Sequence, residues 1–287
     1  MIYILYKQFK ITNIIRIYFK IILLIRLQKE KIQHWYLNIW QIKKGEIFIR
    51  KEKQLFCGYL WEKGGRDKNQ DSLAFWYMKR GKCHKVMAVV CDGIGGLEQG
   101  EQASSYVVRQ LVNWYMTEGY KLNLKKQKKI LQQLCFQTHL ELQNYGRENS
   151  IHLGTTMAVV LVENKKISWF YTGDCRIYLL KRGKVKKLTK EHHDEKGNLN
   201  RAIGVGDWYL LSSAAKRLRK KDRILICTDG FYRNLDMEEL RMWNKRKVES
   251  SSQADRMLKQ MFHKKISVGE RDNISALYFG YMEEQGE

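Results

Sequence analysis

The chain has no proline among its 287 residues, an absence for which we have no functional account. Its six cysteines, Cys57, Cys83, Cys91, Cys135, Cys175 and Cys227, form no CxxC pair. Several stand in apolar runs, as in Val-Val-Cys91 and Ile-Cys227. Buried free thiols in a reducing cytoplasm explain this better than a disulfide framework, and the expected location is cytoplasmic. A His/Cys cluster of the kind that binds zinc is also lacking. No stretch supplies the ~20 apolar residues of a spanning helix. The most apolar segment, residues 1–27, is interrupted by Lys7, Lys10, Arg16, Lys20 and Arg26. These cations fall on all sides of a helix, which weakens a surface-lying amphipathic reading. Neither Ala nor Gly occurs before Gly45, so a signal-peptide cleavage site is missing. For this segment an unstructured extension and a membrane contact both stay open.

Acidic residues are few, 30 against 53 basic ones, for a formal charge of +23. Such a surface suits an anionic partner, a soluble lysine-rich exterior, or attraction of phosphorylated acidic substrates. Zinc-finger spacing and RNA-recognition motifs are absent, so no nucleic-acid partner is expected. A hydrophobic share of 44% provides for a full core.

Residues 1–52 read as a basic, apolar extension without recognisable chemistry, and residues 53–287 as one domain. Strand-like runs occur at Leu55–Trp61, Leu73–Met78, Lys85–Cys91, Thr155–Val162, Ser168–Gly173, Arg176–Leu180, Arg223–Cys227 and Ile274–Tyr281. Turn-like links join some of them, at residues 79–82, 164–166 and 181–184. Ala103, Val107, Leu111 and Trp114 make one helical stripe. A second helix is expected over Leu124–Tyr145, with Ile130, Leu134 and Leu140 among its apolar positions. Two more are expected near Met237–Asn244 and Gln253–His263, the latter capped by Ser250–Ser252. Strands clustered around helix pairs predict an α+β fold with antiparallel sheets.

Five aspartates end or follow apolar strands: Asp71, Asp92, Asp174, Asp229 and Asp272. Singly, each fits a turn or a loop cap. Together they can converge at one sheet edge and offer oxygen ligands to a hard divalent cation. Glycines after Asp92 permit close backbone approach.

The ordered set Arg66-x-x-Asn69-Gln70-Asp71, Asp92-Gly93-x-Gly95-Gly96 with Gly100-Glu101 and Ala103-Ser104, Gly154-Thr155-Thr156, Gly173-Asp174-x-Arg176, Leu188-Thr189-x-x-His192, Arg201-Ala202-Ile203-Gly204, Asp229-Gly230 and Asp272-Asn273 resembles the bacterial protein phosphatase 2C-like (PPM) family. The resemblance spans residues 54 to about 281. It implies a four-layer αββα sandwich, two antiparallel sheets packed face to face with helices outside. It also implies a serine/threonine phosphoprotein phosphatase using two or three Mn²⁺ or Mg²⁺ ions. Asp92 would bridge two metals, and Gly93 would offer its carbonyl to one. Asp229 and Asp272 would complete the other. Asp71 would order metal-bound water, Arg66 would bind the substrate phosphate, and Asp174 with Asp229 would hold a third ion. A metal-bridging hydroxide would attack phosphorus without a phosphoenzyme. The implied partners are phosphorylated proteins, namely a serine/threonine kinase and its substrates.

Some positions depart from the family pattern. Ile94 and Leu97 stand where some members carry histidine, so no side-chain general acid is named. Gln70 replaces a frequent Glu, and Cys175 a common Ser. His192 and His193 read as a loop-surface pair rather than metal ligands. Residues 193–200 are too few for a helix of ordinary length, which implies a short flap beside the site. Rival readings are an inactive phosphatase-like module that binds phosphoproteins and a phosphatase of small-molecule phosphates.

Overall fold

A computed structural model describes residues 55–80, 83–94, 97, 99–181, 183–219 and 221–282. The extension over residues 1–52, with its membrane-contact reading, lies outside the described residues, as do Gly81, Lys82, Gly95, Gly96 and Arg182 from the motifs and turns above.

The strands are β1 (Leu55–Glu62), β2 (Asp71–Arg80), β3 (Cys83–Asp92), β4 (Met157–Glu163), β5 (Lys166–Thr172), β6 (Arg176–Lys181), β7 (Lys184–Lys187), β8 (Ser212–Arg217), β9 (Arg223–Cys227) and β10 (Ile274–Tyr281). They form two five-stranded sheets, ordered β1-β10-β9-β6-β7 and β2-β3-β4-β5-β8. Every pairing is antiparallel. The helices are α1 (Gly100–Thr117), α2 (Leu124–Asn149), the single turn α3 (Asp229–Tyr232), α4 (Met237–Lys245) and α5 (Ser251–Ser267).

Alternation along the central strands builds the layers. In β3, Met87, Val89 and Cys91 join Ala103, Val107 and Leu111 of α1 and Leu131 and Cys135 of α2 in one core cluster. Val86, Ala88 and Val90 therefore point to the opposite face, and they are fully buried. The other sheet does the same: Ala276 and Tyr278 pack with Leu240 and Trp243 of α4 and Met257 and Leu258 of α5. Leu277 and Phe279 then face the first sheet, where the Phe75 and Phe279 rings meet at 5.2 Å. Being buried on both faces is why these strands read as unbroken apolar runs. The architecture is the expected αββα sandwich.

Helix α2 forms where expected, and its buried face is not the one marked by the apolar positions Ile130, Leu134 and Leu140. Leu140 is exposed, and Ile130 and Leu134 are only partly covered. The buried face carries Gln127, Leu131, Cys135, Thr138, His139 and Leu142. Its polar members are buried because they are partnered. Gln127 Nε2 donates to the Gly119 carbonyl at 2.8 Å, and His139 Nδ1 accepts the Gly204 N–H at 3.1 Å. The α5 cap is as expected, with Ser250 Oγ accepting the Gln253 N–H.

Candidate metal centre and active site

Antiparallel pairing brings the motif residues to one end of the sandwich. Asp71 opens β2 directly opposite Asp92, the last residue of β3. The Asp92 carbonyl accepts the Thr156 N–H at 2.8 Å and the Thr155 hydroxyl at 2.7 Å, tying it to the start of β4. Gly173 and Asp174 lie between β5 and β6, Asp229 follows β9, and Asp272 precedes β10. The glycines set the spacing. A Cβ on Gly93 would stand 2.4 Å from the Gly100 carbonyl oxygen. One on Gly230 would stand 2.3 Å from the carbonyl of Asn273. Any side chain at either place would force these loops apart.

Asn273 and Thr228 hold the cluster together. Asn273 Nδ2 donates to the Lys63 and Lys68 carbonyls, and its Oδ1 accepts the Gln70 N–H. This clamps the loop that carries Arg66. Thr228, fully buried, donates to Asp71 Oδ2 at 3.0 Å and accepts the Ser275 N–H at 3.1 Å. Asn273 was legible only as part of a motif, and Thr228 only as the residue before Asp-Gly. Neither role has a local signature, because each partner lies tens of residues away.

The carboxylates divide into two electrostatic settings. Asp71 is 1% exposed. Burial pushes it up to about 7, against relief from the nearby Ser275 and Thr228 hydroxyls, with Asp229 and Asp272 adding to the rise. Its Oδ1 has no hydrogen-bond partner among the described residues. Asp92 is raised well above its ordinary range, first by burial and then by the charges of Asp71, Asp229, Asp174 and Asp272. Asp229 rises to about 6 through burial, opposed by the Arg233 charge. Asp272 is lowered: burial works against it, but hydrogen bonds from Arg66, the Asn273 N–H and Arg233 outweigh it.

Two guanidiniums account for that lowering. Arg66 Nε donates to Asp272 Oδ1 at 3.0 Å. Arg233 Nη1 donates to Asp272 Oδ2 at 2.9 Å while its Nη2 pairs with Asp229 Oδ2. Sequence reasoning did not single out Arg233. Its position four residues after Asp229, across one helical turn, was the available signal.

The histidine pair is split. His193 is exposed, with Nε2 3.4 Å from Asp174 Oδ2. His192 is not a surface residue. Its ring stacks on Tyr171 at 5.2 Å, its Nδ1 accepts the Gly173 N–H, and its Nε2 contacts Ser212 Oγ. Burial, then the charges of Arg201 and His193, lowers it to about 4, so it is neutral at pH 7. It braces the turn that presents Asp174. Residues 193–200 form the short link expected, with Asp194 Oδ1 accepting the N–H groups of Lys196 and Asn198.

All five carboxylates supply hard oxygen donors, the kind Mg²⁺ and Mn²⁺ favour. The unpartnered Asp71 oxygen and the raised Asp92 show a cluster short of positive charge on that side. Among the described residues no three His, Cys, Asp or Glu side chains are drawn together as ligands of one ion. Arg233 and Arg66 take up the Asp229 and Asp272 oxygens instead. In donor chemistry the residues fit a divalent centre.

A fold of this kind is shared with known proteins. A family model described as protein phosphatase 2C matches residues 64–267. The chain belongs to the protein phosphatase 2C family. It is 26% identical over 251 residues to a putative protein phosphatase of Mycoplasma genitalium, covering 74% of this chain and 89% of that protein. It is 26% identical over 218 residues to the serine/threonine phosphatase Stp of Listeria monocytogenes, covering 68% and 84%. Among solved structures, Stp1 from Staphylococcus aureus superposes with a TM-score of 0.69 at 22% identity, over 82% of this chain and 99% of that one. The catalytic domain of PstP, in complex with two manganese ions, gives 0.64 at 21% identity, over 80% and 99%. These structures share the fold.

Proposed function

We propose that this protein hydrolyses phosphoserine and phosphothreonine on protein substrates with Mn²⁺ or Mg²⁺ as cofactor. The observation that carries this reading is the convergence of Asp71, Asp92, Asp174, Asp229 and Asp272 from five separate chain segments, each within the field of Asp92 or Asp229. The names of the relatives support it, as does the manganese in the PstP structure.

Asp92, Asp229 and Asp272, with the Gly93 carbonyl, would hold two ions, and Asp174 with Asp229 a third. When bound, the ions supply the activated water that attacks phosphorus, and they screen the charge that repels it. Asp71, buried and with one oxygen unpartnered among the described residues, would order that water. Arg66 is half exposed at the rim, 50% for its side chain, and its fork can take two phosphate oxygens. The protein itself provides no nucleophile. The short link over residues 193–200 leaves the rim open, so residues flanking the phosphorylated one contribute little binding energy. The substrates are phosphorylated proteins, among them those of a serine/threonine kinase. The free cysteines fit a cytoplasmic setting. Among the described residues no helix is long and apolar enough to cross a membrane.

The test is phosphate release from a panel of phosphothreonine and phosphoserine peptides and an aryl phosphate, with EDTA and then with Mn²⁺ restored. Release that stops with EDTA, returns with Mn²⁺ and varies little across the peptides is expected. Turnover that survives exhaustive chelation would overturn the metal reading. A strong preference for one flanking sequence would overturn the open-rim reading.

A further inference from the structure

Arg233 is the one described residue whose side chain joins both carboxylates proposed for the second metal. Its Nη2 is on Asp229 Oδ2, its Nη1 is 2.9 Å from Asp272 Oδ2, and Glu270 lies 3.9 Å from the same nitrogen. The other Asp272 oxygen receives Arg66 Nε at 3.0 Å and the Asn273 N–H at 2.9 Å. Both oxygens of Asp272 therefore already accept hydrogen bonds. A cation binding Asp229 and Asp272 together would compete with the guanidinium that spans them.

The backbone of Arg233 is fixed while its side chain is free to turn. The Arg233 N–H donates to the Asp229 carbonyl at 2.8 Å. Its own carbonyl receives the ammonium of Lys265, a residue only 3% exposed. Asn234, next in the chain, has a φ of 52°, which pins the end of the α3 turn. The Arg233 side chain, by contrast, is 48% exposed. Rotation of its outer bonds into solvent needs no change in the fold.

We propose that Arg233 is a resident counter-ion that competes with the second divalent cation for Asp229 and Asp272. The inference rests on the metal-dependent reading above. With the ions absent, the single positive charge of Arg233 offsets part of the repulsion between Asp229 and Asp272 and stabilises the protein. With an ion present, the lost pairing subtracts from binding at that subsite. Arg233 thus sets the metal concentration at which the centre fills. Two electrostatic links that are half exposed to water carry modest weight, so the effect is a tuning of affinity.

The experiment is titration calorimetry of Mn²⁺ into full-length wild type, Arg233→Gln and Arg233→Lys, paired with thermal melts in EDTA and in saturating Mn²⁺. Arg233→Gln is expected to bind the weaker Mn²⁺ roughly threefold to tenfold more tightly than wild type. Arg233→Lys, which keeps the charge but loses the fork, should fall between. In EDTA, Arg233→Gln should melt a few degrees lower than wild type, about 1–4 °C, and the gap should close in saturating Mn²⁺. Mn²⁺ binding equally tight in wild type and Arg233→Gln would overturn this inference alone. Absence of Mn²⁺ binding to either protein would overturn both the inference and the reading beneath it.

Discussion

The two halves of the carboxylate cluster solve the same electrostatic problem differently. On one side Asp71 and Asp92 stand at the paired ends of two strands of a single sheet, and among the described residues no cation is drawn to them. Burial and mutual repulsion raise both carboxyls above their ordinary range. On the other side Asp229 and Asp272 flank the other sheet and share Arg233, with Arg66 adding a second charge to Asp272. There the carboxylates are engaged: Asp272 is lowered, and the rise of Asp229 to about 6 by burial is opposed by Arg233. The same residue type, within one cluster, has no partner on one oxygen at Asp71 and is paired with guanidiniums at Asp229 and Asp272. On the proposed reading the first half receives positive charge from the ions and the second already holds some from Arg233.

Removing a charge from the deep half should have the largest effect. Asp92→Asn is expected to lower kcat by at least ~10²-fold, which corresponds to about 3 kcal/mol of barrier. The same change should raise the melting temperature in EDTA, because it relieves the repulsion that raises Asp92. Wild-type turnover in Asp92→Asn would remove this residue from the centre.

The pH dependence of the metal-free protein separates the halves next. Asp71 and Asp229, at about 7 and about 6 against an ordinary 3.8, bind protons more tightly folded than unfolded. Their contribution to stability is therefore greatest below the ordinary value and is lost as pH rises from about 4 to about 7. His192, lowered to about 4 from 6.5, acts in the opposite direction over that range. In EDTA the melting temperature of wild type should fall more, or rise less, between about pH 5 and about pH 7.5 than that of Asp71→Asn. Saturating Mn²⁺ should abolish the difference. Parallel curves for the two proteins in EDTA would show that Asp71 titrates normally.

Two smaller effects probe the scaffolding and the rim. Thr228→Val strips the hydroxyl that donates to Asp71 and accepts from Ser275. A loss of about 1–3 kcal/mol in urea unfolding is expected. An unchanged midpoint would mean that another group satisfies Asp71. Arg66→Ala should raise KM roughly tenfold with a lesser change in kcat, the pattern of lost phosphate binding. An unchanged KM would place Arg66 outside the substrate site.

Much of this arrangement was legible in the sequence. The central strands declared themselves because they are apolar on both faces, and the five aspartates because each follows or opens such a strand. Two of the edge strands, β7 and β8, did not. Residues 184–187 read Lys-Val-Lys-Lys and residues 212–217 Ser-Ser-Ala-Ala-Lys-Arg, both with too little apolar character to reveal pairing. Charged and short edge strands are what an exposed sheet margin favours. The buried face of α2 was not legible because Gln127 and His139 are polar by type and buried by circumstance. Their partners, Gly119 and Gly204, are brought near only by folding. The half-buried bracing position of His192 escaped notice for the same reason. The bridging role of Arg233 depends on Asp272, which lies 39 residues away in sequence.

The central claim, that this pole of the sandwich holds divalent cations between its two halves, is tested most directly by anomalous diffraction. Crystals of the full-length protein grown with Mn²⁺ would be measured at the manganese absorption edge. The account predicts at least two anomalous peaks, both touching Asp92, one of them also bound by Asp229 and Asp272 with the Arg233 side chain turned away. Peaks elsewhere on the surface, or Arg233 still bridging Asp229 and Asp272 in Mn²⁺-saturated crystals, would contradict it.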